Sequence, residues 1–198
     1  MIALLALCAA AGYLLGSFST GILVARKEGH DIRAEGSHNT GASNALRVLG
    51  LKGGVLTFAG DFAKAALSVL LGLLIAGQYG GMAAGLGVIL GHNWPLFFGF
   101  KGGKGIACST AVLLILFPWQ GAVAVALCLA VIYWKRYISV GSLTMLSVFF
   151  VLLLLSRGVW PYGVWAFALA ALGFARHRSN LERLKNGTEN KINFHSKK

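Results

Sequence analysis

The stretch GGVLTFAGDFAKAALSVLLGLLIA, Gly53 to Ala76, decides the fold. It is almost continuously apolar and meets the length of about 20 residues that a helix needs to cross the hydrocarbon core of a bilayer. Its two charged residues, Asp61 and Lys64, stand three apart on one helix face. An unpaired charge at that depth is costly, so the pair implies either mutual neutralisation or contact with a ligand, and both readings stand open. Ile2 to Val24 and Val140 to Ser156 come close to the same length. Shorter apolar stretches run from Tyr79 to Leu90, extendable to Phe98, and over Ile106 to Phe117, Trp119 to Trp134 and Val159 to Ala175.

Composition agrees. The chain is 57% hydrophobic and 12% charged, against roughly 25% charged residues in a soluble domain. The first basic residue is Arg26, so Met1 to Val24 lacks the basic opening of a secretory signal and reads as a retained span. Cys8, Cys108 and Cys128 lie singly in apolar stretches and suggest neither a disulfide framework nor a zinc knuckle.

The net charge of +12 is explained by topology, and no nucleic-acid partner is expected. Threading seven spans in order gathers Arg26 to Lys52, Lys101 to Lys104, Lys135 to Arg136 and the tail from Arg176 on one side, with 16 of the 18 Lys and Arg. The positive-inside rule makes that side cytoplasmic. The expectation is an all-α, polytopic helical membrane protein of seven transmembrane helices, N-terminus outside and C-terminus cytoplasmic. Five spans plus a re-entrant hairpin over Ile106 to Trp134 keep the same sidedness and are the alternative. One membrane domain, residues 1–198, is expected, with cytoplasmic motif segments 25–52, 91–105 and 176–198.

The first segment contains Gly36-Ser37-His38-Asn39-Thr40-Gly41-Ala42-Ser43-Asn44-Ala45-Leu46-Arg47. If it is helical from Thr40, then Thr40, Ser43, Asn44 and Arg47 share a polar face opposite Ala42, Ala45, Leu46 and Leu49. Hydroxyls, an amide and a guanidinium suit a phosphate or polyol. A solvated, capped surface helix fits the same pattern equally well.

The second segment, Gly91-His92-Asn93-Trp94-Pro95-Leu96-Phe97-Phe98-Gly99-Phe100-Lys101-Gly102-Gly103-Lys104-Gly105, opens directly into the apolar run from Ile106. Glycines permit close backbone approach to a ligand, and the following helix adds the positive end of its dipole, so the loop reads as an anion cradle. It is not a Walker A loop: Phe98 replaces the first glycine and Gly105 stands where Ser or Thr should follow the lysine. A tight turn with snorkelling lysines is the plainer reading, and His92 taken alone is more often a structural hydrogen-bonding residue than a catalyst.

The third segment, from Arg176-His177-Arg178-Ser179-Asn180 to Arg183, Gly187 and Glu189, is expected to continue the last span. His177, Asn180 and Leu184 would then share a face. A basic tail attracted to anionic membrane lipid accounts for the arginines, at about 1 kcal/mol each, but not for the His and Asn. Ser142 lies just beyond the Lys135-Arg136 turn.

Together and in this order, the three segments resemble the cytoplasmic motifs of the bacterial acyl-phosphate:glycerol-3-phosphate acyltransferase family, over nearly the whole chain. The most specific part is His92 with Phe100-Lys101-Gly102-Gly103-Lys104-Gly105. The family's first motif reads Ser-Gly-Asn-x-Gly-Ala-Thr-Asn, so this chain departs from it with His38 for Gly and Ser43 for Thr. Gly at that position would supply a positive φ readily, which His does not, and His38 adds a potential donor.

The resemblance implies transfer of an acyl group from acyl phosphate to the 1-hydroxyl of glycerol 3-phosphate in phospholipid biosynthesis, at a cytoplasm-facing site of the bacterial inner membrane. It also implies a soluble partner enzyme that makes acyl phosphate. Ser37, Asn39, His177 and Asn180 would orient the reaction, and Lys104 would stabilise the departing phosphate. Thr40, Gly41, Ser43, Asn44, Arg47, Lys64, His92, Lys101, Gly102, Gly103, Gly105, Ser142, Arg183 and Glu189 would line the substrates. The proton acceptor is either a substrate phosphate or His177.

No His is followed by Asp at the fifth position, and no Gly-x-Ser-x-Gly elbow occurs. The six acidic residues form no cluster on one loop, so neither metal nor cofactor is expected. A transporter of an organic phosphate is the rival reading, since a basic vestibule attracts the same anions. It calls for a site near the midplane between repeated halves, whereas the polar segments here sit at one face and no repeat is seen.

Overall fold

The computed structural model describes residues 1–192 of the 198, so the end of the third segment, 193–198, lies outside the described residues. Every regular element among the described residues is helical. The chain separates into two compact units, Met1–Leu116 and Phe117–Lys198.

In the first unit, α1 (Ile2–Gly16) and α2 (Thr20–Lys27) form one apolar stretch, and α3 (Ala42–Val48) leads into the long α4 (Gly50–Asn93). A straight helix of that length would span about 65 Å, twice the hydrocarbon core. It does not stay straight. Ala76 and Gly77 leave helical geometry, Gly77 at φ 58°, and the chain doubles back. A Cβ on Gly72 would overlap the Gly80 carbonyl, and one on Gly80 the Gly72 carbonyl, so the two arms meet backbone to backbone. These arms are the spans read from Gly53 to Ala76 and from Tyr79 onward. A short 3-10 turn, Leu96–Phe98, precedes α5 (Ile106–Leu116).

The span expected over Ile2 to Val24 is interrupted at Ser17 to Ser19. Its physical cause is Lys64, whose ammonium donates to Gly16 O at 3.1 Å and Phe18 O at 2.6 Å. Within a bilayer, backbone groups leave a helix only where another partner takes them. α1 packs along α4 on glycines: Gly87 sits against Ala9 O, Gly16 against Val88 O and Gly91 against Tyr13 O. Small residues that allow such approach are the usual means of packing helices where no hydrophobic drive acts between them.

In the second unit, α6 (Pro118–Lys135), α7 (Ile138–Arg157) and α8 (Val164–Arg176) lead to the short α9 (Arg178–Lys185). Phe117 is non-helical, and Pro118 occupies the first turn of α6, where a missing N–H costs nothing. The helix over Ile106 to Trp134 is therefore broken at Phe117. The core is aromatic: Phe117 packs against Phe149, Tyr162 and Trp165 with ring centroids within 6 Å. The last span was expected to run straight into the tail. It breaks at His177 (φ −98°, ψ 10°), whose Nδ1 lies 2.7 Å from Gly173 O.

Ile2–Lys27, Gly50–Phe98, Pro118–Lys135 and Ile138–Arg157 are long and apolar enough to cross a membrane. The chain is a multi-pass helical membrane protein.

Replacing Gly87 by Val should separate α1 from α4 and cost at least about 2 kcal/mol, as overpacking of a tight interface does. Gly29, with open space around it, should lose only about 1 kcal/mol on replacement by Ala, from backbone strain at positive φ. Thermal unfolding of the two variants in detergent checks the order.

Candidate functional site

The anion cradle predicted at Gly102 to Gly105 is built from contacts that admit only glycine. A Cβ on Gly102 would overlap His92 O, and one on Gly103 would overlap His92 Nε2. Gly105 has φ 78°, and its Cβ would come within 2.9 Å of Asn93 Oδ1. Gly103 N donates to His92 O at 3.1 Å. The loop is thus laid over the His92–Asn93 end of α4. Gly105 O accepts from Ser109 N at 2.7 Å, so the cradle runs into the first turn of α5, whose leading N–H groups have no intrahelical acceptor. Lys101 is exposed and Lys104 half-buried beside it.

Three hydrogen bonds fix the approach to this loop. Tyr13 Oη donates to Trp94 O at 2.8 Å, Leu96 N donates to Ser17 Oγ at 3.2 Å, and Arg33 Nη1 donates to Phe98 O at 3.1 Å. The Arg26 guanidinium lies 5.7 Å above the Phe98 ring. The first and second segments are therefore tied to each other and to the α1–α2 break.

The first segment differs from its expected form. α3 begins at Ala42 rather than Thr40, and its polar residues do not share one face: Asn44 is buried, while Ser43 and Arg47 are exposed. Asn44 is turned inward by the loop it holds. Its Nδ2 donates to Ile32 O and Glu35 O, both at 3.0 Å, and its Oδ1 accepts from Ser37 N at 2.7 Å. Every polar atom of that side chain serves backbone, so Asn44 shapes the segment instead of offering an amide to a ligand. The apolar side is as expected, with Ala45 fully buried.

His38 adopts φ 57°, the left-handed conformation that Gly would supply at this position, and its Nδ1 lies 3.1 Å from Arg33 O. The substitution therefore keeps the turn. Asn39 Oδ1 caps Gly41 N at 3.0 Å. Thr40 is buried, and its Oγ1 has no hydrogen-bond partner among the described residues. Gly21 of α2 lets the Thr40 backbone come this close, because a Cβ there would overlap Thr40 O.

Lys64, expected beside substrate, is occupied within the fold. Its Nζ lies 2.8 Å from Asp61 Oδ1 and 3.2 Å from His92 Nδ1, besides the two carbonyls of the α1–α2 break. Asp61, His92 and Cys108 bring ligand-type atoms within 4.8 Å of one another. The ammonium already stands beside the carboxylate as its counter-cation, so the cluster reads as an ion pair. Sequence reasoning missed Asn93 and Thr57, both buried with side-chain polar atoms unpartnered among the described residues. Thr57 could have been found: it precedes Asp61 by one helical turn.

In the second unit, Glu189 is a hub. Its Oε1 accepts from Asn180 Nδ2 at 2.6 Å and Ser139 Oγ at 2.7 Å, and its Oε2 accepts from Arg183 Nε at 2.8 Å. Gly187, at φ 70°, reverses the chain after α9 so that Glu189 can return to it. Glu189 and Arg183, expected to line substrate, are paired with each other. Ile192 N then donates to Arg136 O at 2.8 Å, holding the tail to the α6–α7 turn. Ser142 is buried, and its Oγ donates to Ile138 O at 2.8 Å. His177 is buried, with Nδ1 beside Gly173 O. Ser139 was not foreseen, because nothing in the sequence pairs it with Glu189 fifty residues on.

The family model described as Glycerol-3-phosphate acyltransferase matches residues 6–187. A glycerol-3-phosphate acyltransferase of Alkaliphilus metalliredigens is 40% identical over 91% of this chain and 92% of its own length, and one of Thermoanaerobacter pseudethanolicus is 41% identical over 94% of each. Among solved structures, the chain resembles PlsY (YgiH), an integral membrane glycerol 3-phosphate acyltransferase. In its glycerol 3-phosphate form the TM-score is 0.90 at 36% identity over 96% of both chains, and in its lysophosphatidic acid form 0.87 at 35% over 96% and 95%.

Burial alone pushes the Glu189 carboxyl up, but the hydrogen bonds from Asn180, Ser139 and Arg183 and the Arg183 charge outweigh it, so its pKa lies below the usual carboxylate range. A carboxylate depressed on folding stabilises above its unfolded value, about 4.3, and that contribution is lost as pH falls through the folded value. Glu189→Gln should lower stability at neutral pH by about 1–2 kcal/mol, since Arg183 is partly exposed. It should also flatten the acid limb, as read by thermal unfolding between neutral and acid pH.

Proposed function

The chain belongs to the glycerol-3-phosphate acyltransferase family, and from that premise we propose how its residues carry out acyl transfer. It is an acyltransferase that acylates glycerol 3-phosphate in phospholipid synthesis. The proposed donor is acyl phosphate. The observation that carries this reading is the cradle: three glycines fixed against His92 and Asn93, flanked by Lys101 and Lys104, at the entrance of α5. Such a loop suits a dianionic phosphate, which needs several donors and nearby cations at once.

The glycerol 1-hydroxyl attacks the acyl carbonyl carbon directly. A new C–O ester bond forms, the bond from that carbon to the phosphate oxygen breaks, and the hydroxyl proton passes to the departing phosphate, whose second pKa of about 6 suits it as acceptor at neutral pH. Lysophosphatidic acid and inorganic phosphate result. Lys104 and the cradle N–H groups offset the charge that develops on the leaving phosphate.

Ser37, half-buried in the first segment, orients the acyl donor together with Asn39 and Thr40. Gly41 and Ser43 line the same loop. Arg47 and Lys101, both exposed, attract the second phosphate. In the second unit, His177 and Asn180 are the proposed orienting residues and Ser142 a proposed substrate contact. His177 remains the competing proton acceptor.

The proposed topology has seven crossings with the N-terminus outside and the C-terminus and active site at the cytoplasmic face of the inner membrane, supported by the placement of Lys and Arg. A soluble enzyme producing acyl phosphate is the proposed supplier.

Purified protein in lipid, given glycerol 3-phosphate and a long-chain acyl phosphate without added metal, should release phosphate and lysophosphatidate in equal amounts. Lys104→Ala should lower the rate at least a hundredfold, the size typical of removing a charge-stabilising group. Movement of glycerol 3-phosphate across sealed vesicles with neither product formed would replace acyl transfer with transport.

A further inference from the structure

The turn from Lys135 to Tyr137, which joins α6 to α7, carries an exposed patch that the proposed reaction leaves unused. α6 is long and apolar enough to cross a membrane, and it ends in Tyr133, Trp134 and Lys135. Trp134 is 84% exposed and Tyr133 78%. Rings with an apolar body and a polar edge settle at the membrane–water boundary, and cations at a helix end extend toward the headgroups. The Lys135 ammonium lies 6.0 Å from the Trp134 ring centroid, so both belong to one surface. Arg136, left-handed at φ 63°, is exposed next to them.

The tail adds a third cation. Lys191 Nζ stands 5.5 Å from the Tyr137 ring centroid, and the residue after it donates from Ile192 N to Arg136 O at 2.8 Å. Lys135, Arg136 and Lys191 are thus gathered where a spanning helix leaves the hydrocarbon. Like charges gathered on one turn repel, which works against the contact between turn and tail. The carboxylate nearest in the chain, Glu189, is committed to Arg183. An anion from outside the chain relieves that repulsion. The turn lies on the face proposed as cytoplasmic, whose lipid surface is negative.

We infer that the α6–α7 turn is a docking site for an anionic phospholipid headgroup, held by Lys135, Arg136 and Lys191 beside Trp134, and that the bound headgroup clamps the tail onto the turn. Trp134 and Tyr133 favour lipid over a soluble anion, because their exposed rings continue the apolar surface of α6 and a small ion gains nothing from them.

The clamp reaches inward. Turn and tail meet at three points: Arg136 with Ile192, Tyr137 with Lys191, and Ser139, whose Oγ donates to Glu189 at 2.7 Å. A headgroup that strengthens the outer two contacts also holds in place the carboxylate that accepts from Asn180 and Arg183. Anionic lipid thereby orders a segment that would otherwise rest on the Glu189 hub alone.

Amide hydrogen exchange over residues 186–192 tests this on the resting protein, so failure of the docking site and failure of the acyl-transfer reading are separate outcomes. In lipid discs of equal parts phosphatidylglycerol and phosphatidylcholine, these amides should exchange about fivefold more slowly than in phosphatidylcholine alone, the factor that one cation at a charged surface contributes. The difference should vanish in K135Q/R136Q/K191Q. It should vanish also for the unsubstituted protein in about 1 M salt, where the screening length falls to about 3 Å, so the test stands even if the triple variant fails to accumulate. Equal exchange in the two lipids would overturn the inference, as would a difference that survives in the triple variant or in high salt. Equal protection from inorganic phosphate added to phosphatidylcholine discs would assign the turn to a soluble anion and overturn the lipid site.

Discussion

The first unit depends on where one ammonium group finds its partners inside a membrane. Lys64 lies on an otherwise apolar arm of α4, and a lone charge there is untenable. It is satisfied by Asp61 on its own helix and by two carbonyls released where α1 gives way to α2, and His92 at the far end of the returning arm stands 3.2 Å away. One side chain thereby sets the break in the first span, the separation of α1 from α4 and the placement of the loop that follows His92. The break in α1–α2 is the other half of the same exchange, because its freed carbonyls need a donor as much as the ammonium needs acceptors.

Glycine does the complementary work. Along α1 and the two arms of α4 it removes side-chain volume so that backbones touch, and in the cradle it removes volume so that the loop can lie on His92 and Asn93. The same chemical fact serves helix packing in one place and the seating of a loop in the other. This explains why the loop can be rigid although it is rich in the most permissive residue: Gly102, Gly103 and Gly105 are each confined by a specific neighbour, and the loop is pinned besides by Tyr13, Ser17 and Arg33. In the proposed reaction, a loop preorganised in this way would spend little energy on rearrangement when a phosphate charge develops.

The second unit has its own organiser in Glu189. A carboxylate with donors from Asn180, Ser139 and Arg183 gathers the start of α7, the short α9 and the returning tail into one structure. Asn180 and Arg183 are thus held by an acidic residue whose importance is positional. His177 is set by a different device, the contact of its ring with the carbonyl one turn back, which also accounts for the break between α8 and α9.

Much of this was legible in the chain as written. Apolar lengths located the spans, and the break expected near Ala76 is the turn at Gly77, because hydrophobicity and length are local properties that water and lipid read directly. The concentration of Lys and Arg in a few segments, the Gly-Gly-Lys-Gly cradle and its position at a helix entrance were equally local. The roles of Asn44, Lys64, Arg183 and Glu189 were not. Each was legible as a polar group near a site, but whether it faces a ligand or a neighbouring backbone depends on partners distant in sequence. Asn44 caps carbonyls up to twelve residues away, Lys64 reaches back to Gly16, and Glu189 meets Ser139 across fifty residues. The sequence alone thus determined the class of protein and the long apolar helices that mark it as membrane-spanning. Only the tertiary structure decided which polar groups are left for substrate, because a buried donor or acceptor must be satisfied by whatever the fold brings within 3 Å.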